Sequence, residues 1–225
     1  MVEETLIAPC PICGEAAMTG HDARYACAAC KTEVKQSRWL GIWPRDRYFF
    51  QAIGPGFRNA EPDLSARPFT RAQLAALVGS CYRDADLEAI AAGDLSRLRP
   101  PGSTLARVLF PHSRETCHIQ VNGLTRAEGP PLPDGVSKIN NPVDRASLKM
   151  LDRGNLFISD QRMIFPSGTH TIIRIDHKLS GVCSFADALA IQRTGDDAAT
   201  YFLGVEHREA LLVAAYLQGR LNHLR

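Results

Sequence analysis

Four of the seven cysteines stand in two identically spaced pairs near the start of the chain. Cys10 and Cys13 are separated by two residues, as are Cys27 and Cys30, and 13 residues lie between the two pairs. Two residues between cysteines let both thiolates reach one tetrahedral ion, while the backbone amides between them point towards the sulfurs. Zinc is the usual ion for four thiolates in a reducing compartment. The pattern therefore predicts one structural Zn²⁺ ion bound by all four.

A catalytic role for this ion is not expected. Four thiolates leave no coordination position vacant for a water molecule, which zinc enzymes need. His21 lies in the loop between the pairs, and we expect it to face solvent rather than to be a fifth ligand. The sequence supports a redox role less well than zinc binding, because a redox CxxC motif is expected as a single pair at the start of a helix that follows a strand.

The remaining candidates for chemistry are few. His112, Cys117 and His118 lie close together in the sequence and could form a nucleophile pair or a second metal site. Successive residues of a strand point to opposite faces, so Cys117 and His118 would diverge, and Cys117 is better explained as a small buried hydrophobic residue. The chain has no glycine-rich phosphate loop, no GxSxG motif and no HExxH motif. We therefore expect no enzymatic activity.

The segment that carries the cysteines resembles the zinc-ribbon family over residues 1–36. The resemblance rests on the runs Cys10-Pro-Ile-Cys13-Gly14 and Cys27-Ala-Ala-Cys30-Lys31, with Lys31 where glycine is commoner. It implies a small domain in which the metal replaces a hydrophobic core that so short a segment cannot build.

A strand, a turn and a second strand are predicted over residues 153–165. Leu156 and Ile158 alternate with Phe157 and Ser159 before the turn residues 159–161. Further strands are predicted over residues 171–175, 178–185, 188–193 and 200–205, each bounded by turn residues. The apolar period then changes from two to 3.6, which predicts an amphipathic helix from Glu206 onward.

The run from Gly154 to Phe165, GNLFISDQRMIF, resembles the core of the GRAM and bacterial PH-like families. The later run from Phe185 to Ile191 resembles the start of one of their strands, with Ala188 where glycine is usual. The resemblance implies a mainly antiparallel PH-like barrel capped by the C-terminal helix. Members of these families are mostly binding modules, so it implies interaction without chemistry.

The predicted fold class is therefore α+β, in three parts: a zinc ribbon (1–36), a linker with a short helical bridge (37–102) and a PH-like barrel with its helix (103–225). Residues 54–68 are predicted to be a connector, because glycine and proline are frequent there. Thr70 is predicted to cap a helix over residues 71–78. Two further helical turns are predicted over 86–92 and 94–98, and the first strands of the barrel over 105–110, 116–124 and 136–139.

The charge of the chain is nearly balanced, with 26 basic and 24 acidic residues and a net charge of +2. No strong field therefore favours nucleic acid or an anionic membrane. Residues 31–58 are an exception, because basic and aromatic residues are interleaved there: Lys31, Lys35, Arg38, Arg45, Arg47 and Arg58 with Trp39, Trp43, Tyr48, Phe49 and Phe50. This segment could bind nucleic acid, but we favour the interpretation that its aromatic rings pack inside the protein. A protein-binding surface built on Trp39 and Trp43 is a third interpretation.

The compartment follows from two further observations. No apolar run approaches the roughly 20 residues that cross a bilayer, and the acidic start Met1-Val2-Glu3-Glu4 is unlike a signal peptide. We expect a cytoplasmic, non-catalytic adaptor or scaffold subunit that binds protein partners through the zinc ribbon and the PH-like domain. The alternatives are attachment to anionic membranes through the PH-like domain and nucleic-acid binding through residues 31–58.

Overall fold

The computed structural model describes residues 4–37, 47–99, 101, 103–110, 115–168 and 171–224. The chain divides into two compact units, Met1–Asp86 and Leu87–Arg225. Both contain a sheet and helices, so the α+β class with mostly antiparallel sheets and a C-terminal helix is confirmed. The finer division into three parts at residues 36 and 102 stays a prediction. Among the described residues, no helix is both long and apolar enough to span a membrane.

The first unit is built on one five-stranded antiparallel sheet, in which every strand pairs with the next one along the chain. The strands are β1 (Glu4–Ile7), β2 (Met18–His21), β3 (Arg24–Cys27), β4 (Glu33–Gln36) and β5 (Tyr48–Ala52). Burial alternates along β3, where Tyr25 and Cys27 are buried and Arg24 is exposed. One face of the sheet therefore carries the core of this unit and the other faces solvent.

Three helical segments complete the first unit: a 3-10 helix (Pro55–Ala60), α1 (Glu61–Ser65) and α2 (Arg71–Leu77). Thr70 caps α2 as predicted, because its hydroxyl accepts from the Gln73 N–H while the Gln73 side chain accepts from the Thr70 N–H. The segment predicted to be a connector is largely helical and buries Phe57 and Leu64 in the core. Glycine and proline there shape helix starts rather than an open loop.

The second unit is built on an eight-stranded sheet with the strand order β10-β9-β8-β6-β13-β12-β11-β7. Its strands are β6 (Cys117–Gly129), β7 (Gly135–Lys138), β8 (Lys149–Ser159), β9 (Arg162–Phe165), β10 (Thr171–Arg174), β11 (Leu179–Ser184), β12 (Ala188–Arg193) and β13 (Ala199–Leu203). All neighbours are antiparallel except β7, which pairs in parallel with β11. In the described part of the chain β10 and β7 end the row without pairing with each other, so a closed barrel is not found.

The predicted hairpin of residues 153–165 is confirmed as β8 and β9, with the turn at residues 160 and 161. The end of β8 is buried on both faces, since Leu156, Phe157, Ile158 and Ser159 are all inaccessible to solvent. Phe157 packs in a small cluster with Phe110, Cys117 and Ile164. The alternation therefore marks two different cores rather than a core and a solvent face.

The prediction of a strand over residues 105–110 is wrong. These residues form the helix α4 (Thr104–Leu109), which packs Ala106 against the sheet. The Ser103 hydroxyl accepts a hydrogen bond from the Ala106 N–H and caps the helix. Leu105, Ala106 and Arg107 all have high helix propensity. Together with the Ser103 cap, this propensity outweighs the short alternation of apolar residues that predicted a strand.

The loop between β6 and β8 covers part of the sheet and supplies β7. Its backbone is fixed by the Tyr201 hydroxyl, which donates to the Pro130 carbonyl at 3.0 Å, and by the Val143 N–H, which donates to Asp187 at 2.9 Å. Small buried side chains lie beneath the loop, among them Ala188 and Ala190. Residues with little side chain let the loop approach the strands closely.

The second unit also contains two further α-helices, α3 (Asp84–Ala91), which begins just before the boundary, and α5 (His207–Leu224). Two short 3-10 helices (Leu95–Arg97 and Arg145–Ser147) lie between its larger elements. The predicted C-terminal helix is thus confirmed, and it packs against β11 and β12 of its own sheet. Tyr216 anchors it by donating to the Ser159 carbonyl at 2.9 Å. Gly219 is buried where α5 crosses α3, and an added Cβ there would overlap the Ile90 carbonyl oxygen.

We expect Gly219→Ala to destabilise the second unit by about 1–3 kcal/mol, because overlap with backbone cannot be relieved by a rotamer change. The gain in helix propensity, about 1 kcal/mol, acts in the opposite direction and is smaller. Urea unfolding followed by circular dichroism measures the change. The neighbouring Gln218→Ala is the matched control and should change stability by less than about 0.5 kcal/mol. A raised midpoint for Gly219→Ala would contradict the close crossing.

Candidate metal centre

The four paired cysteines lie at two loops of the first unit with the same backbone shape, the second of which begins at Cys27, the last residue of β3. In each loop the N–H of the residue after the second cysteine donates to the carbonyl of the first: Gly14 to Cys10 and Lys31 to Cys27, both at 2.9 Å. Both donors are left-handed, with φ of 72° at Gly14 and 64° at Lys31. Lysine therefore adopts the conformation that glycine more often supplies, and the second loop keeps the shape of the first.

The two loops bring the four sulfurs together. The Sγ atoms of Cys10 and Cys30 are 3.9 Å apart, those of Cys13 and Cys27 are 3.7 Å apart, and all four lie within 4.8 Å of one another. A disulfide would need a separation of about 2 Å, and all seven cysteines are free thiols. The cluster could therefore bind one metal ion, with each cysteine offering one sulfur.

The surroundings of the sulfurs differ between the loops. Cys10 and Cys27 are fully buried, whereas Cys13 and Cys30 are partly exposed. The Ile12 N–H donates to Cys10 Sγ at 3.4 Å, which favours the thiolate that a metal requires. The hydrogen bond between Cys10 and Cys30 raises the pKa of Cys10 and lowers the pKa of Cys30, and burial raises the pKa of Cys13. Metal binding must displace the protons that the Cys10 and Cys13 thiols hold.

Two residues that sequence reasoning did not identify support the second loop. Thr32 is completely buried, and its hydroxyl oxygen lies 3.1 Å from Cys30 Sγ. The same oxygen accepts a hydrogen bond from the Gly54 N–H at 3.0 Å. When Cys30 is a thiolate it has no proton to donate, so the Thr32 hydroxyl donates to the sulfur and accepts from Gly54 at once. This links the metal centre to the chain that follows β5.

Gly54 approaches the loop so closely that a side chain cannot fit. An added Cβ would overlap the Cys30 carbonyl oxygen. A polar residue two positions after the last cysteine was a local signal that could have pointed to Thr32. No local signal marks Gly54, because its contact is with residues more than 20 positions earlier in the chain.

Among the residues that the structure describes, the other candidates for chemistry are not brought together. Cys117 packs under α4 with Phe110 and Phe157, whereas the His118 ring lies 5.5 Å from the Tyr216 ring of α5. Burial raises the pKa of Cys117 to about 11, so its thiol stays protonated at neutral pH. His21 is exposed at the end of β2. Within the described ranges, the four paired cysteines are the one group of three or more ligating side chains that could hold a metal.

Some predictions fall outside the residues that the structure describes. These are the ones on His112 and on the central part of the basic and aromatic segment, Arg38, Trp39, Trp43 and Arg45. Of the aromatic residues that are described, Tyr48 and Phe50 are buried in the core of the first unit. Packing of these two rings agrees with the interpretation that we favoured over base stacking.

Comparison of the chain with protein-family models, with curated proteins and with solved structures found no match.

We expect Thr32→Val to weaken metal binding about tenfold to hundredfold, because the Cys30 sulfur loses a hydrogen-bond donor and Gly54 loses its acceptor. Thr32→Ser keeps the hydroxyl and should bind metal like the unchanged chain. Titration of the metal-free chain with Co²⁺, followed by its thiolate charge-transfer absorption and by competition with a chelator, measures both. Equal affinity of the Val and Ser variants would show that the hydroxyl does not support the site.

Removal of the metal is expected to unfold the first unit selectively. Metal binding supplies folding free energy to a small domain, because without the ion only the two loops hold the four cysteine sulfurs in position. Hydrogen exchange of the full chain after chelation should show lost amide protection in β2, β3 and β4. The strands β6 and β8 of the second unit serve as the internal control and should stay protected. Protection of β3 that persists after metal analysis shows complete removal would contradict the prediction.

Proposed function

We propose that this chain is a non-catalytic, cytosolic adaptor or scaffold subunit that binds protein partners through a zinc ribbon and a PH-like domain. The observation that carries the proposal is the set of four converging cysteine sulfurs. These four ligands complete a tetrahedral coordination sphere, so the ion stabilises a surface instead of activating water.

The proposed ion is Zn²⁺. Four sulfurs bound to zinc at about 2.3 Å in a tetrahedron are about 3.8 Å from one another. The Sγ separations of 3.7 Å for Cys13 and Cys27 and 3.9 Å for Cys10 and Cys30 lie on either side of this value. A soft, all-thiolate ligand set with this spacing favours zinc over magnesium, calcium or manganese, which prefer oxygen ligands. The two loops on a small antiparallel sheet support the assignment to the zinc ribbons.

The PH-like assignment of the second unit is supported by its topology. Without β7, the sheet is a row of seven antiparallel strands. The strand that comes first along the chain, β6, pairs within this row with the strand that comes last along the chain, β13. The C-terminal helix α5 then packs back on the sheet. The motif-bearing hairpin of β8 and β9 lies within this row, as the resemblance to GRAM and PH-like domains implies.

Surface composition supports binding to a protein partner. Leu105 and Val108 on α4 are 44% and 65% exposed, and Ile172 on the end strand β10 is 52% exposed. Large apolar side chains at such exposure are typical of interaction surfaces when they cluster. None of the seven cysteines, all of which the structure describes, forms a disulfide, and this supports a reducing compartment such as the cytosol.

Peripheral membrane binding is the second candidate, and one observation favours it. Met150 and Leu151 are 48% and 37% exposed at the start of β8. Lys149 and Arg153 flank them and are also exposed. Basic residues beside exposed apolar ones are suited to an anionic lipid surface.

Affinity capture of the tagged full-length chain tests the proposal. We expect a protein to be recovered near stoichiometrically from the native cytosol at moderate salt, in nuclease-treated and untreated halves alike. The variant Cys10→Ser/Cys13→Ser should lose it, because the ribbon unfolds without its metal. Cys183→Ala, which removes a buried thiol among alanines of the second unit, is the control and should retain it.

Three outcomes would contradict the adaptor proposal or a part of it. Unchanged recovery by the double cysteine variant would exclude the ribbon as the binding element. Loss of the partner on nuclease treatment would favour nucleic acid. Recovery of no protein, together with salt-sensitive flotation on phosphatidylserine vesicles, would favour the membrane candidate.

A further inference from the structure

The second unit contains a cavity of about 430 Å³ where β6, β8 and β13 lie side by side. Leu203, Thr125 and Arg153 are direct neighbours across these three strands and line it together. Its volume falls in the range of about 300–1,000 Å³ that is usual for small-molecule sites.

Two glycines keep this cavity open. Gly123 and Gly204 line it with left-handed backbone, at φ of 72° and 84°. A Cβ added to Gly123 would meet no atom within 4 Å, and one added to Gly204 would meet only the Gly123 carbonyl oxygen, at 3.8 Å. Gly123 stands in a bulge of β6 and is held there by its N–H, which donates to Asn155 Oδ1 at 2.9 Å. The space is therefore a built feature of the strands.

The charges around the cavity leave it cationic. The acid that lines it, Asp152, is already bound by the Arg126 guanidinium through two hydrogen bonds of 2.8 and 3.1 Å. Arg145 lines the cavity too and contacts Asp187 at 2.8 Å. Arg153 makes no ion pair with any residue that the structure describes, and its side chain is exposed at the wall. One positive charge is therefore available to a ligand.

The rest of the lining is apolar. Met150 and Leu151 are half-exposed on the wall, and Leu203 is buried at the base. A ligand that covered the two exposed side chains would remove hydrocarbon surface from water, which favours binding.

We infer that this cavity binds a small amphiphilic anion, in which a carboxylate or phosphate group contacts Arg153 and an apolar body covers Met150 and Leu151. The inference is independent of the proposed adaptor function. A metal cation is disfavoured by the two arginines, and a polymer would not enter a cavity of this size. The same head groups occur on free molecules and on membrane lipids, so the test must separate these sources.

Calorimetric titration of the full-length chain with decanoate and with dodecyl phosphate, both below their micelle concentrations, tests the inference. Decanol is the uncharged counterpart and should bind at least about tenfold more weakly, since it lacks the charge-assisted contact with the guanidinium. Arg153→Gln should weaken the binding of both anions about tenfold. The matched control is Lys149→Gln, which removes an equal charge from the same strand outside the cavity lining and should leave the affinity unchanged.

Filling the cavity gives a second, independent measurement. Asparagine tolerates left-handed backbone, so Gly123→Asn should place a side chain in the space and abolish binding. Gly195→Asn makes the same change at another left-handed glycine, at φ of 90°, on an exposed hairpin tip outside the cavity. It should bind like the unchanged chain. Circular dichroism reports whether each variant is folded. If Gly123→Asn is unfolded, the affinity of Arg153→Gln for the two anions is the deciding measurement.

Several results would overturn the inference. Equal losses for Arg153→Gln and Lys149→Gln would indicate attraction by diffuse charge, and equal affinities for decanol and decanoate would indicate a purely apolar site. Binding to phosphatidylserine vesicles without binding to monomeric decanoate or dodecyl phosphate would indicate a membrane surface rather than a ligand cavity.

Discussion

The convergence of four cysteine sulfurs is the constraint on which the first unit depends. Its sheet has five short strands, and both loops that carry the cysteines are irregular. Cys10 and Cys27 are at the same time part of the hydrophobic core, where they pack with Met18 and Val34. The same side chains therefore belong to the candidate metal site and to the hydrophobic core, and the sulfurs come together only when the strands around them are paired.

The second unit obtains its stability differently. Its two longest strands, β6 and β8, have 13 and 11 residues, the end of β8 is buried on both faces, and α4, α5 and the loop before β8 cover the sheet. Such a unit buries enough apolar surface to fold without a metal. The two units are thus built differently: the first places four cysteine sulfurs that could bind one metal ion beside its core, whereas the second is held by the packing of its sheet and helices.

The sequence predicted those features that have a short-range signal. The cysteine spacing predicted which four sulfurs lie close together, and alternation with turn residues predicted the hairpin of β8 and β9 and the strand β12. Alternation failed for residues 105–110, because Ser103 caps a helix there. Long-range relations had no such signal. The contact of Gly54 with the second cysteine loop and the parallel pairing of β7 with β11 both join segments that lie far apart in the chain.

The strand β7 has a consequence for the behaviour of the protein at high concentration. Exposed sheet edges attract the strands of other molecules and start aggregation. β7 pairs with β11 and so covers the edge that β11 would otherwise expose. Because β7 is only four residues long, the new edge that it forms is short. At the other end of the row β10 is equally short, and the Arg193 guanidinium donates to its Arg174 carbonyl. A large sheet with such short, partly blocked ends offers little backbone for another chain to extend.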